Sequence, residues 1–121
     1  MRPSTPMTLL QAMATVEGFY ASGAENRPQR NNNPLDLEWH QWMTQFGATQ
    51  GDPRFAIFPS VDMGFAAARH LLGFPLYKGK TISQAIPLFA PSNENNTRSY
   101  VLTVCALTEK DPDTVIDKII G

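Results

Sequence analysis

At 121 residues, with 42% hydrophobic and 17% charged residues, the chain is long enough to bury a real core as a single domain spanning 1–121. Ten Lys and Arg against eleven Asp and Glu leave a net charge of −1 and no basic block, which excludes a nucleic-acid binder that works by neutralising phosphates. The single cysteine, Cys105, excludes an internal disulfide and a cysteine-built metal site, and no run approaches the roughly 20 apolar residues of a membrane span.

The first residues read as a helix. Thr5 or Thr8 supplies its cap, Pro6 suits a first turn, and Leu9, Met13, Val16 and Tyr20 recur at helical spacing. Glu17 falls in or near the last turn, one position off the apolar stripe and beneath Leu10, Met13 and Ala14. A carboxylate there meets the negative end of the helix dipole and loses hydration, and both effects favour its protonated form. Stability alone would place Lys or Arg at that end. An acid poised near neutral pH is instead what protonating a leaving-group oxygen requires. The plain alternative is a Glu that points into solvent.

The polar stretch 24–34 has no periodicity, and Asn31-Asn32-Asn33 before Pro34 predicts turns. Leu35, Leu37 and Trp39 alternate with Asp36, Glu38 and His40, the pattern of a half-buried strand, and Arg54–Phe58 reads as a second. A long Gln/Gly/Thr-rich loop ending at Gly51-Asp52-Pro53 would join them as an antiparallel hairpin. Ser60 caps a helix whose Ala67, Leu71 and Leu72 face runs down to Gly73. Thr81-Ile82-Ser83-Gln84 has capping-box form and opens a helix that stops before Pro91, with Pro87 shortening or bending it. Asn95 or Asn96 caps the next helix, on which Tyr100, Val104 and Leu107 share a face and Cys105 is a small core residue. Asp111-Pro112 would open a short last helix closed by Gly121, with its acidic residues on a solvated face. The fold class is α+β, mainly helical, with one small antiparallel β-hairpin.

This order of a helix ending in Glu-Gly, a small sheet and a helical remainder resembles the lysozyme superfamily. It is most similar to phage-encoded peptidoglycan hydrolases and virion-associated proteins with a lysozyme-like fold. Four blocks carry the resemblance in order over about residues 8–110: Glu17-Gly18-Phe19-Tyr20; Arg27 through Asn33-Pro34-Leu35-Asp36-Leu37; Phe55-Ala56-Ile57-Phe58; and Ala90-Pro91-Ser92-Asn93-Glu94-Asn95-Asn96-Thr97 with Tyr100. The resemblance implies a lysozyme-like fold with the hairpin next to the catalytic helix. It implies a muramidase or endolysin that cuts the MurNAc–GlcNAc backbone of peptidoglycan, with Glu17 as the general acid. Two departures stand out. Leu35 replaces the expected Gly of the turn, and the Asp that phage-type lysozymes carry after the Glu is here Asn26.

Glycoside hydrolysis normally uses two carboxyl groups, about 5–5.5 Å apart for retention and roughly 6.5–9.5 Å apart for inversion. Glu25, on spacing, and Glu38, on the polar face of the expected strand, are equal candidates for the second. Without one, Glu17 would act as both acid and base while a substrate hydroxyl attacks, the lytic transglycosylase route. Arg27, Arg30, Asn31–Asn33 and Asp36 are candidates to hold the glycan, or form a structural turn. Tyr20 and Trp42 are candidate stacking surfaces, whereas Trp39 reads as core. Asn95 and Tyr100 belong to the last matched block and would line the cleft, or serve as a helix cap and a core anchor. His40 and His70 lack metal-ligand spacing, so no metal or cofactor is expected. With an amphipathic segment rather than a leader after Met1-Arg2-Pro3-Ser4-Thr5-Pro6, a monomer accumulating in the host cytoplasm is expected, reaching the cell wall after release or delivery. The rival class is a non-catalytic virion or cell-wall-binding protein that keeps the fold.

Overall fold

The computed structural model describes residues 5–91 and 96–121, so Glu94 and Asn95 lie outside the described residues. The chain forms two compact units, one from Met1–Ala12 with Leu72–Gly121 and the other from Met13–Leu71. The elements are α1 (Leu9–Val16), α2 (Arg27–Arg30), β1 (Thr49–Gly51), β2 (Phe55–Ile57), α3 (Val61–Leu72), α4 (Ile82–Phe89) and α5 (Thr97–Thr108). Short 3-10 segments at Gln41–Phe46 and Ile116–Lys118 complete them. Among the described residues the chain is α+β and mainly helical, with one two-stranded antiparallel sheet.

In the first unit, Thr8 caps α1 reciprocally with Gln11: each backbone N–H donates to the other's side-chain oxygen, at 3.0 and 3.2 Å. The next two orphan donors of that first turn are met by the C-terminal segment, where Leu9 N–H reaches Ile119 O at 2.8 Å and Leu10 N–H reaches Ile120 O at 3.2 Å. Thr81 and Gln84 form the capping box read from the sequence, and α4 runs through Pro87 to Phe89. Asn96 caps α5 through Ser99 N–H. The expected helix after Asp111-Pro112 is absent. Asp111 Oδ1 instead accepts from Asp113 N–H at 2.9 Å, an Asx turn, and the chain at Val115 runs beside Lys80–Ile82 through a Thr81–Val115 bridge, with Ile82 N–H on Thr114 O and Ile116 N–H on Lys80 O. Only the 3-10 turn at Ile116–Lys118 follows.

In the second unit, β1 pairs with β2 in the register Thr49–Ile57, Gln50–Ala56 and Gly51–Phe55. This corrects the expected hairpin. Leu35–Trp39 does lie along the other edge of β2, but as a single Glu38–Phe55 bridge with Ala56 N–H on Leu37 O and Trp39 N–H on Arg54 O. Its alternation records the burial of Leu35 and Leu37 rather than a full ladder. The Asn run braces this edge. Asn33 is fully buried, accepting from Leu37 N–H at 2.9 Å and donating to Leu37 O and Ala56 O, each at 2.9 Å. Asn32 donates to Phe58 O at 3.1 Å. The left-handed positions of the turn are Asn32 and Asp36, so Leu35 needs no glycine conformation there and is buried.

Candidate active site

Helix α1 ends at Val16 and Glu17 is its C-cap. Glu17 N–H still donates to Met13 O, Gly18 N–H turns back to Thr15 O at 3.1 Å and Phe19 N–H to Ala14 O at 3.0 Å. These are the two bonds of a Schellman motif, and Gly18 takes the left-handed conformation it needs at φ +91°. So the glycine of the Glu-Gly pair has a structural cause in the turn that closes the helix. Glu17 is half-buried at the C-terminal, negative end of the helix dipole. Tyr20, expected on the helical stripe, lies beyond the helix end and is 51% exposed, its ring edge-on to Phe19 at 5.2 Å.

The polar stretch after it contains a one-turn helix, α2, not expected from the sequence. Asn26 caps it and Pro28 lies in its first turn. Arg27 and Arg30, three apart, present guanidinium groups to two carboxylates. Arg27 grips Asp36 with Nε at 3.0 and 3.1 Å and Nη2 at 2.6 Å, while its guanidinium lies 3.6 Å from the centre of the Phe55 ring. Arg30 holds Asp52 with Nε at 3.1 Å and Nη2 at 2.5 Å, and Asn31 Nδ2 adds a third donor at 3.1 Å.

Charge gathers around Arg27. The hydrogen bond from Asp36 raises its pKa, burial opposes this, and the charges of Asp36, Asp52 and Glu17 add to the rise. The attraction between Arg27 and these three carboxyl groups is mutual. At Asp52 the hydrogen bond from Arg30 dominates and holds the carboxyl below its ordinary range, with burial opposing and Asn31, then the Arg30 and Arg27 charges, assisting.

The other candidates are placed as follows. Glu25 is exposed, just before the cap of α2. Glu38 is exposed and pairs with Arg54 Nε at 3.1 Å. Asn33 has no surface to offer a ligand, and Asp36 and Arg30 are each engaged by a partner within the unit. Trp42 is half-buried on the Gln41–Phe46 segment, its ring 5.2 Å from His70 and 6.0 Å from Phe46. Tyr100 is buried in the first unit with its ring 6.4 Å from Phe89. Burial, followed by the Asp111 charge, pushes the Cys105 thiol up, away from nucleophilic use. Among the described residues, no group of three or more His, Cys, Asp or Glu could hold a metal ion, and no helix is long and apolar enough to cross a membrane.

Asp52, whose charge acts on Arg27, and Gln29, whose amide donates to Phe19 O and Ala21 O, are not singled out by the sequence, where Asn26 stands only as a departure. Asn26-x-x-Gln29 is a capping-box pattern and was open to that reading. Asp52 carried no signal beyond a turn. Compared with known proteins, the chain matches no protein-family model and no curated protein sequence.

Proposed function

We propose that the chain is a peptidoglycan-cleaving glycosidase of lysozyme type with a lysozyme-like fold, in which Glu17 protonates the glycosidic oxygen between MurNAc and GlcNAc. The observation that carries this reading is the half-buried acid at the C-cap of α1, where helix stability favours a cation. In that position Glu17 is half-buried, with the charge of Arg27 acting on it, a setting in which a carboxyl group can serve as a proton donor. Tyr20, exposed two residues beyond the Glu17-Gly18 turn, offers a ring for a sugar face.

For hydrolysis a second carboxylate is needed. Glu25 and Glu38 remain candidates, and Asp52 joins them as an acid held ionised by Arg30 and Asn31. The lytic transglycosylase route is the second reading. It is favoured by Asn26, an amide standing where phage-type lysozymes carry their Asp, because that route needs Glu17 alone.

The test is fragment release from purified peptidoglycan by wild type and Glu17→Gln, read by mass spectrometry. Wild type is expected to release muropeptides and the variant to lose at least about a hundredfold in rate. Reducing ends would identify a hydrolase, and 1,6-anhydro ends a transglycosylase. Silence of the wild type on several cell walls would overturn the enzyme reading in favour of a binding or virion component.

A further inference from the structure

The two polar residues that close α2 also hold the chain that follows Glu17. Asn26 Oδ1 accepts from Gln29 N–H at 3.1 Å and Gln29 Oε1 accepts from Asn26 N–H at 3.0 Å, so the acceptor end of each amide is fixed to the other residue. The donor ends point at a different segment. Asn26 Nδ2 donates to Gly18 O at 2.7 Å, and Gln29 Nε2 donates to Phe19 O at 2.9 Å and Ala21 O at 2.8 Å. Three carbonyls in the four residues after Glu17 are therefore pinned by two side chains that are themselves locked. Gly18 lies close against this brace, since a Cβ there would come within 3.3 Å of Asn26 Nδ2.

Each of these side chains uses a donor and an acceptor at once, which an ionised carboxylate cannot do. An Asp at position 26 would keep the cap but set an anion against the Gly18 carbonyl. We propose that Asn26 and Gln29 are positioning residues for Glu17: their amides fix the backbone of residues 18–21 and so the place of the Glu17 carboxyl, and position 26 must be an amide. This rests on Glu17 being the general acid. It opposes the expectation from phage-type lysozymes, by which Asn26→Asp would supply the missing second carboxylate and raise activity.

The test compares wild type, Glu17→Gln, Asn26→Asp and Gln29→Glu on soluble, uncrosslinked glycan strands from peptidoglycan. Gln29→Glu keeps the acceptor for Asn26 N–H and removes only the two donors, so it separates positioning from capping. Both amide variants are expected to lose about ten- to a hundredfold in kcat with KM within about twofold, as misplacement of a reacting group does. Amide hydrogen exchange is expected to quicken at Gly18–Ala21 and to stay unchanged in β2 and α3. The proposal is overturned by an Asn26→Asp variant that matches or exceeds wild type. Loss confined to KM, or a Gln29→Glu variant within twofold of wild type, would overturn it equally. Unfolding of both variants at the assay temperature would assign the amides to stability alone and also overturn it. If Glu17→Gln equals wild type, it is the reading of Glu17 that fails. If Glu17→Gln is inactive while both amide variants keep their kcat, only the positioning role fails.

Discussion

Asn33 and Asp52 show how differently two polar side chains of one unit carry their hydrogen bonds. Asn33 is enclosed, and its amide is the partner of Leu37 N–H, Leu37 O and Ala56 O at once. Replacing it by Ala removes partners from buried backbone groups whose desolvation costs about 1–3 kcal/mol each. Asn33→Ala is therefore expected to destabilise the protein by about 3 kcal/mol or more, read from urea unfolding, whereas a ligand-binding Asn would lose affinity with little change in stability. Asp52 is partly exposed, and its effect is in pH. Its folded-state pKa lies below the ordinary 3.8, so its stabilising contribution is present above that value and is lost as pH falls through the lower, folded value. Between about pH 4 and pH 2, wild type is expected to lose more of its urea midpoint than Asp52→Asn does. Equal losses would mean that the Arg30 pair adds nothing to acid stability.

Helix α3 carries a glycine whose reason lies outside the helix. By intrinsic propensity, Gly64→Ala would stabilise by about 1 kcal/mol. A Cβ at Gly64, however, would stand 2.2 Å from Asn32 O and 2.7 Å from Pro34 Cδ, and the first of these is backbone that cannot swing away. The expected sign is reversed: Gly64→Ala destabilises by about 1–3 kcal/mol, measured as a fall in the thermal midpoint. The contact also explains what could be read in advance and what could not. Helices α3, α4 and α5 were legible because their start signals are local: Ser60 before α3, the Thr81–Gln84 box and Asn96 all act within one turn. Strand β1 was not legible, because Thr49-Gln50-Gly51 is polar and largely exposed and owes its form to pairing with β2. The last helix failed for the opposite reason. Val115 and Ile116 mimic a helical face, yet Val115 is held extended by a bridge to Thr81 and Ile116 N–H is tied to Lys80 O, more than thirty residues earlier. At the candidate site, Glu17 could be found from its place at a helix end, while the gathering of Glu17, Asp36 and Asp52 around Arg27 arises only through tertiary folding.

The division into two units falls inside α1, and this decides how the whole chain unfolds. Leu9–Ala12 belongs to one unit and Met13–Val16 to the other, although the eight residues form one continuous helix. Cut at that point, each half is a single turn, far below the roughly 12–15 residues at which a helix becomes marginally stable in water. Melting of either unit therefore removes an element that the other needs. Both tryptophans, Trp39 and Trp42, lie in Met13–Leu71, so fluorescence reports that unit alone while far-ultraviolet circular dichroism reports the helices of both. The two signals are expected to give coincident denaturant midpoints, as a cooperative transition requires. A sharper form of the test perturbs the unit that holds no tryptophan. Ile116 is fully buried there, and Ile116→Ala is expected to destabilise by about 2–5 kcal/mol. With a shared α1, that loss lowers the fluorescence midpoint as much as the dichroism midpoint. A fluorescence midpoint that stays at the wild-type value while the dichroism shifts would show that the two units unfold independently and that α1 re-forms on one half alone.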